Sequence, residues 1–214
     1  MLEILLKLIY PDVCGICNQL NRAGICKNCK LKLEELDITR IRKYTNQNFK
    51  EHMYIYKYDR EIRNILLDYK FNNKSYLYKT FAELIEENNK VIEYIKKFDI
   101  ITSVPLHKKR LRERGYNQCE LILNKLRRDL KELNIDNKIL IKIKNTKIQS
   151  TLNKKERMEN IKDAYILNKK KDIKNKRVLL FDDVYTTGST VNECAKVLLE
   201  HGATEIGILT FSKD

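Results

Sequence analysis

The 214-residue sequence has no long apolar run. The stretch from Leu2 to Tyr10 is broken by Glu3 and Lys7 and runs into Pro11, far short of the roughly 20 residues that cross a bilayer as a helix. It also lacks a small-residue cleavage site, so neither a membrane span nor an export signal is expected. Its leucines and isoleucine at 2, 5, 6 and 9 fall on one face of a short helix, a pattern suited to core packing. A soluble, cytoplasmic protein without membrane insertion follows. Histidine is also scarce, and His52, His107 and His201 are too scattered to suggest a catalytic set. Only 6 glycines and 2 prolines occur, so each marks a constrained turn. No helix-turn-helix pattern stands out, and neither terminus carries a basic tail.

What is present is charge, unevenly placed. Against 29 acidic residues stand 43 Lys and Arg, a net charge of +14. Residues 1–107 carry 18 basic and 14 acidic groups, and residues 178–214 carry 2 and 6, so these parts cancel. The excess lies between 108 and 177, where 23 basic residues face 9 acidic ones. Something anionic is expected against the middle of the chain. At 43% hydrophobic the chain can still bury an ordinary core.

Four of the 6 cysteines, Cys14, Cys17, Cys26 and Cys29, form a C-x2-C-x8-C-x2-C array. Each C-x2-C turn aims two sulfurs at one ion, and the spacer brings the pairs together, as in a closed structural zinc site. Gly15 and Gly24 fall where tight turns are needed. An unexported chain keeps its thiols reduced, which disfavours disulfides. The segment is too short for a large core, so the metal is expected to supply most of its folding energy.

Toward the C-terminus, Val178–Phe181 is a continuous apolar run, as in a buried parallel strand. Asp182 and Asp183 follow, then Thr186, Thr187, Gly188, Ser189 and Thr190. A helical period runs from Val191 to His201, Gly202 stops it, and Ile206–Phe211 reads as the next strand. The hydroxyls, a glycine and a helix N-terminus together suit a phosphate monoester. The two carboxylates suit a cis-diol or a water-held magnesium ion. A phosphate beside a diol describes a ribose 5-phosphate. Val178 to Thr190 resembles the phosphoribosyl-pyrophosphate motif of type I phosphoribosyltransferases. That resemblance implies that Asp182 and Asp183 bind ribose hydroxyls and that residues 186–190 bind the 5-phosphate. Tyr185 departs from it, because an aliphatic residue is usual there.

Ile100–Val104 reads as another strand, followed by Pro105, Leu106, His107, Lys108 and a basic run through Arg114. In the type I family the loop after the first core strand holds pyrophosphate and magnesium, and 105–108 is the stretch in that position; the plainer alternative is an exposed charged turn. The polar stretch around Lys147, Gln149, Lys154, Lys155, Arg157 and Asn160 suits a lid that brings a cation such as Arg157 to the site, or else a solvated loop.

In order along the chain, the cysteine array, Tyr56–Asp59, Asp68–Phe71, Val104–His107, Arg114–Gln118, Gln149, Arg157, Asn160 and the Asp-Asp loop resemble the ComF (competence protein F) family. The resemblance spans essentially the full length. It implies a phosphoribosyltransferase-like protein linked to DNA uptake in natural competence, handling single-stranded DNA with the uptake machinery. Whether a ribosyl group is transferred stays open, and no residue names an acceptor.

The expected fold is therefore α/β, type I phosphoribosyltransferase-like, with a mostly parallel sheet flanked by helices and a small N-terminal zinc knuckle. The knuckle is placed at 1–38 and the phosphoribosyltransferase-like domain at 39–214, of which 39–98 supplies a hood and flanking helices. The expected catalytic residues are Asp182, Asp183 and Arg157. Substrate contacts are assigned to Thr186–Thr190, Pro105–Lys108 and Arg114, with structural zinc on the cysteines and magnesium arriving with phosphoribosyl pyrophosphate. The competing expectation is a single-stranded DNA-handling module in which the ribose-phosphate site is a sensor or relic.

Overall fold

Two apolar runs set the centre of the molecule. Val178–Phe181 lies inside strand β6 (Arg177–Tyr185) and Ile206–Phe211 inside β7 (Glu205–Lys213), and the two strands pair in parallel. Both runs are buried, as expected of strands covered on two faces. The computed structural model describes residues 13–20, 24–72, 74–146 and 154–214. The expected helix over 2–9 and Gln149 lie outside them.

The sheet has five strands in the order β1-β2-β7-β6-β3. Strand β3 (Ile100–Ser103) runs parallel to β6, and β2 (Glu51–Lys57) runs parallel to β7. Strand β1 (Asp37–Lys43) pairs antiparallel with β2. One sheet face carries Leu179, Phe181, Leu209 and Phe211, which share a core with residues of helices α1 (Lys27–Leu36), α2 (Arg60–Phe71), α3 (Leu77–Glu86), α4 (Asn89–Ile95) and α6 (Gln118–Asp129). The other face carries Val178, Leu180, Ile206 and Ile208 against α8 (Ser189–Glu200). A separate antiparallel pair, β4 (Leu140–Lys142) with β5 (Tyr165–Leu167), packs into this second core.

Helix starts follow their side chains. Asp59 caps α2 by accepting from Glu61 N (3.0 Å) and Ile62 N (2.9 Å). His107 caps α5 (Lys108–Arg114), and Gly115 ends it at φ +83°, a conformation that suits glycine. Residues 154–161, which read as part of a loop, form helix α7 (Lys154–Ile161). Lys, Glu, Arg and Met there are good helix formers, and no glycine or proline interrupts them. Among the described residues, no helix is long and apolar enough to cross a membrane.

Candidate functional site

The four N-terminal cysteines converge. Their sulfurs all lie within 4.8 Å of one another, and those of Cys17 and Cys26 are 3.7 Å apart. A tetrahedral site with zinc–sulfur bonds of about 2.3 Å has edges of about 3.8 Å, so the donor set has zinc-binding geometry. Burial pushes the Cys14 thiol up, but the backbone donors of Cys17, Cys26 and Ile16 outweigh it and draw it down to about 7. Burial and the neighbouring sulfurs push Cys29 the other way. The cluster is docked on α3. Thr80 Oγ1 donates to Gly24 O (2.5 Å), and Tyr76 Oη donates to Asn18 Oδ1 (3.1 Å). A Cβ on Gly15 would lie 2.4 Å from Thr80 Oγ1, so a glycine is required for this approach.

At the opposite end of the chain, β6 continues to Tyr185, so Asp182 and Asp183 lie within the strand rather than in the loop after it. Thr186 and Thr187 then lead to Gly188, the residue before α8, at φ +73°. Thr187 Oγ1 and Ser189 Oγ are 2.7 Å apart. The turn therefore gathers hydroxyls and the free backbone N–H groups of a 12-residue helix at one point. From α7, Arg157 Nη1 donates to Thr186 Oγ1 at 3.1 Å, which brings the expected lid cation to the turn.

Successive strand residues point to opposite faces. Asp182 follows Val178 and Leu180 toward the α8 side, while Asp183 follows Leu179 and Phe181 toward the α2 side. Burial and then the Asp183 charge raise the Asp182 carboxyl to about 7. Asp183 Oδ2 is 2.7 Å from Lys70 Nζ, and both side chains are largely buried. Burial works against the Lys70 ammonium, but Asp183 outweighs it and raises its pKa. Burial lowers that of Arg114, which also feels Asp183, and that of Lys142, which also feels Arg110 and Asp182. The buried thiols are pushed well up by burial and then by the carboxylates, Cys119 by both Asp183 and Asp182 and Cys194 by Asp182.

The loop after β3 runs beside the acids, because Val104 N donates to Phe181 O (3.0 Å). Asn117 Nδ2 fastens it by donating to Val104 O (3.1 Å). Within it Pro105 is buried, Leu106 and His107 are half-buried and Lys108 is exposed. His107 Nδ1 accepts from Lys109 N at 3.3 Å, so its ring is engaged in capping α5. Arg114 Nη1 donates to Gln118 Oε1 (2.7 Å), and its guanidinium sits 5.2 Å from the Phe71 ring centre. The segments 68–71 and 114–118 are tied reciprocally. Tyr69 Oη donates to Gln118 O (2.8 Å), and Tyr116 Oη donates to Tyr69 O (2.7 Å). Lys70 and Lys142 are the charged groups that residue-by-residue reading missed. A lone lysine among 43 basic residues carries no signal of its own.

Tyr185 has a structural role of its own. A Cβ on Gly188 would lie 2.2 Å from Tyr185 Oη, so the ring is packed under the turn. His52, fully buried, stacks on Tyr185 with ring centroids 4.4 Å apart, and its Nε2 is 2.8 Å from Thr210 Oγ1. Tyr54 lies against His52, whereas Tyr56 and Tyr58 pack with the other core. Burial, then Lys213 and Arg42, hold the His52 imidazole neutral with a pKa of about 3. The unfolded chain therefore binds this proton first, and stability drains away as pH falls from about 6.5 toward 3. Between pH 7 and pH 4.5 this amounts to about 2–3 kcal/mol. Denaturant titrations at the two pH values should show a smaller acid loss for His52→Phe than for wild type. An equal loss in both would refute the role.

The Phosphoribosyl transferase domain family matches residues 118–214, which contain the acid pair, the turn and α8. Competence protein F of Haemophilus influenzae is 38% identical over 144 residues, covering 65% of this chain and 62% of that protein. Competence protein ComFC of Bacillus subtilis is 29% identical over 199 residues, covering 92% of this chain and 75% of that protein. The chain is a homologue of the competence protein F/ComFC proteins. A third relative of this competence protein F homologue, DNA utilization protein YhgH of Escherichia coli, is 36% identical over 110 residues, 51% of this chain and 47% of that protein. The match thus spans less than two thirds of the Haemophilus and Escherichia proteins. The ComFC-like chain has a type I phosphoribosyltransferase fold, with a mostly parallel sheet flanked by helices and a four-cysteine cluster near the N-terminus. Lys70, like the cysteine cluster, lies before the matched residues, and of the two it is Lys70 that reaches the acid pair.

Proposed function

We propose that this chain binds magnesium phosphoribosyl pyrophosphate and serves DNA uptake in natural competence. One observation carries the reading. A hydroxyl-rich turn at a helix N-terminus ends a strand whose two largely buried aspartates are ringed by Lys70, Arg114 and Lys142. Thr186–Thr190 would hold the 5-phosphate. Asp182 and Asp183 would hold the ribose hydroxyls, with magnesium bound through water. Pro105–Lys108 and Arg114 would face the pyrophosphate, and Arg157 would close over the turn. Magnesium would offset the charge of a departing pyrophosphate. If a ribosyl group is transferred, these side chains contribute orientation and fixed charge rather than a covalent step. Zinc on the four thiolates would be structural. A cytoplasmic location would keep these thiols reduced and available to the metal.

Calorimetric titration with the magnesium complex tests this. Wild type should bind, and Asp182→Asn/Asp183→Asn should bind at least about 100-fold more weakly, having lost both carboxyl groups. Equal binding by both proteins, or none by wild type, sinks the proposal.

A second reading, single-stranded DNA handling, is favoured by a separate observation. Lys108, Lys109 and Arg112 are exposed and make no ion pair among the described residues. One small anion does not require this outer charge. Oligonucleotide affinity should fall steeply with salt, with a slope of about 0.7 per phosphate neutralised. An affinity independent of salt would count against a backbone-tracking surface.

A further inference from the structure

We propose that Lys70 is a positioning residue of the ribose-phosphate site, holding the Asp183 carboxylate aimed along the end of β6. This rests on the reading of that site given above. Lys70 belongs to none of the loops that read as ligand-binding. It stands in the last turn of α2, on a different part of the chain from the matched domain. Its ammonium nevertheless reaches Asp183 Oδ2 at 2.7 Å, where side-chain exposure is 22% for Lys70 and 14% for Asp183. A pair so withdrawn from water is screened little, and loss of either charge leaves the other uncompensated.

The residues on either side of Lys70 both meet the segment 114–118. Tyr69 is buried, its hydroxyl donates to Gln118 O, and its carbonyl accepts from the Tyr116 hydroxyl. The Tyr69 and Tyr116 rings stack 6.1 Å apart, and Phe71 lies under the Arg114 guanidinium. Both neighbours thus contact the segment 114–118, and Tyr69 docks the last turn of α2 beside the acids. Other cations near the acids are placed differently. Lys142 acts on Asp182 from the α8 side, and Arg114 already bonds Gln118. Lys70 is the cation in ion-pair contact with Asp183 among the described residues.

A carboxylate has about four lone-pair sites, so Asp183 can accept from Lys70 and still accept from a sugar hydroxyl. The lysine thus acts through Asp183, not on the ligand. That distinction sets the test. Affinity for magnesium phosphoribosyl pyrophosphate is measured by calorimetry for wild type, Lys70→Met, Lys70→Arg, Asp183→Asn and the Lys70→Met/Asp183→Asn double variant, with thermal melts of each. Lys70→Met should bind at least about tenfold more weakly, and Lys70→Arg, which keeps the charge, should recover most of the loss. In the Asp183→Asn background, Lys70→Met should cost no more than about twofold further. A purely structural lysine would lower the melting temperature without this dependence on Asp183. Wild-type affinity in Lys70→Met overturns the assignment, as does full additivity of the two single losses, which would mean that Lys70 touches the ligand directly. Absence of binding by wild type overturns the ribose-phosphate reading itself and this assignment with it, an outcome distinct from the other two.

Discussion

Replacing Cys26 and Cys29 with serine, or stripping the metal with a chelator, is expected to lower the melting temperature by more than about 10 °C. The magnitude follows from what rests on the cluster. Structural zinc contributes about 10–16 kcal/mol to folding in small peptide systems at neutral pH. A chain of about 200 residues loses roughly 2–4 °C per kcal/mol, so even half of that sum reaches the predicted shift. The cluster is not a detached bead. Cys14, Ile25 and Leu33 are buried in the same core as α3 and β7, and α1 passes without a linker into the edge strand β1. Unfolding of the knuckle would expose that core and free Gly24 and Asn18 from their bonds to α3. Circular dichroism melts of the metal-loaded and chelated protein check this, with zinc content measured in parallel. A shift under about 2 °C on complete removal of bound metal would show that the thiols are not a structural site.

The second large effect is expected at Gly188. Gly188→Ala should weaken binding of magnesium phosphoribosyl pyrophosphate at least about 100-fold, because two constraints meet at that Cα. The backbone sits at φ +73°, where an L side chain costs about 1–2 kcal/mol. The new Cβ would also collide with the Tyr185 hydroxyl, which the stack on His52 prevents from retreating. The turn must open, and the N–H groups that would meet a phosphate lose their common aim. Tyr185→Phe/Gly188→Ala removes the nearest clashing atom and should recover part of the affinity. Wild-type affinity in Gly188→Ala, measured by calorimetry, would mean that the phosphate binds elsewhere.

The parts of this architecture that are local in sequence were also legible there. An apolar run, a polar turn, a helical period and Gly202 read directly as β6, the turn, α8 and β7, because each signal is short-range. The cysteine spacing worked for the same reason. What could not be read is long-range. Nothing in Glu51–Lys57 announces that it will pair with β7 more than 150 residues away, as Glu51 does with Gly207. Likewise the bonds joining Tyr69 and Tyr116 appear only when α2 and α6 are packed together. In sequence, Tyr185 is only a departure from the aliphatic residue usual at that position, and its contact with Gly188 is visible only in three dimensions. Lys70 was quoted within a recognisable motif, yet its partner is 113 positions along the chain. The charge excess between 108 and 177 divides in a comparable way. Arg114, Lys142 and Arg157 turn toward the acids and the turn, while Lys108, Lys109 and Arg112 face solvent.

The most direct measurement is an experimental structure determined after soaking with magnesium phosphoribosyl pyrophosphate. The expected result is the 5-phosphate bound by Thr186–Thr190 and the ribose hydroxyls by Asp182 and Asp183, with Lys70 still paired to Asp183. An empty turn at a saturating concentration that calorimetry has established, or ligand bound away from the acid pair, would contradict the assignment.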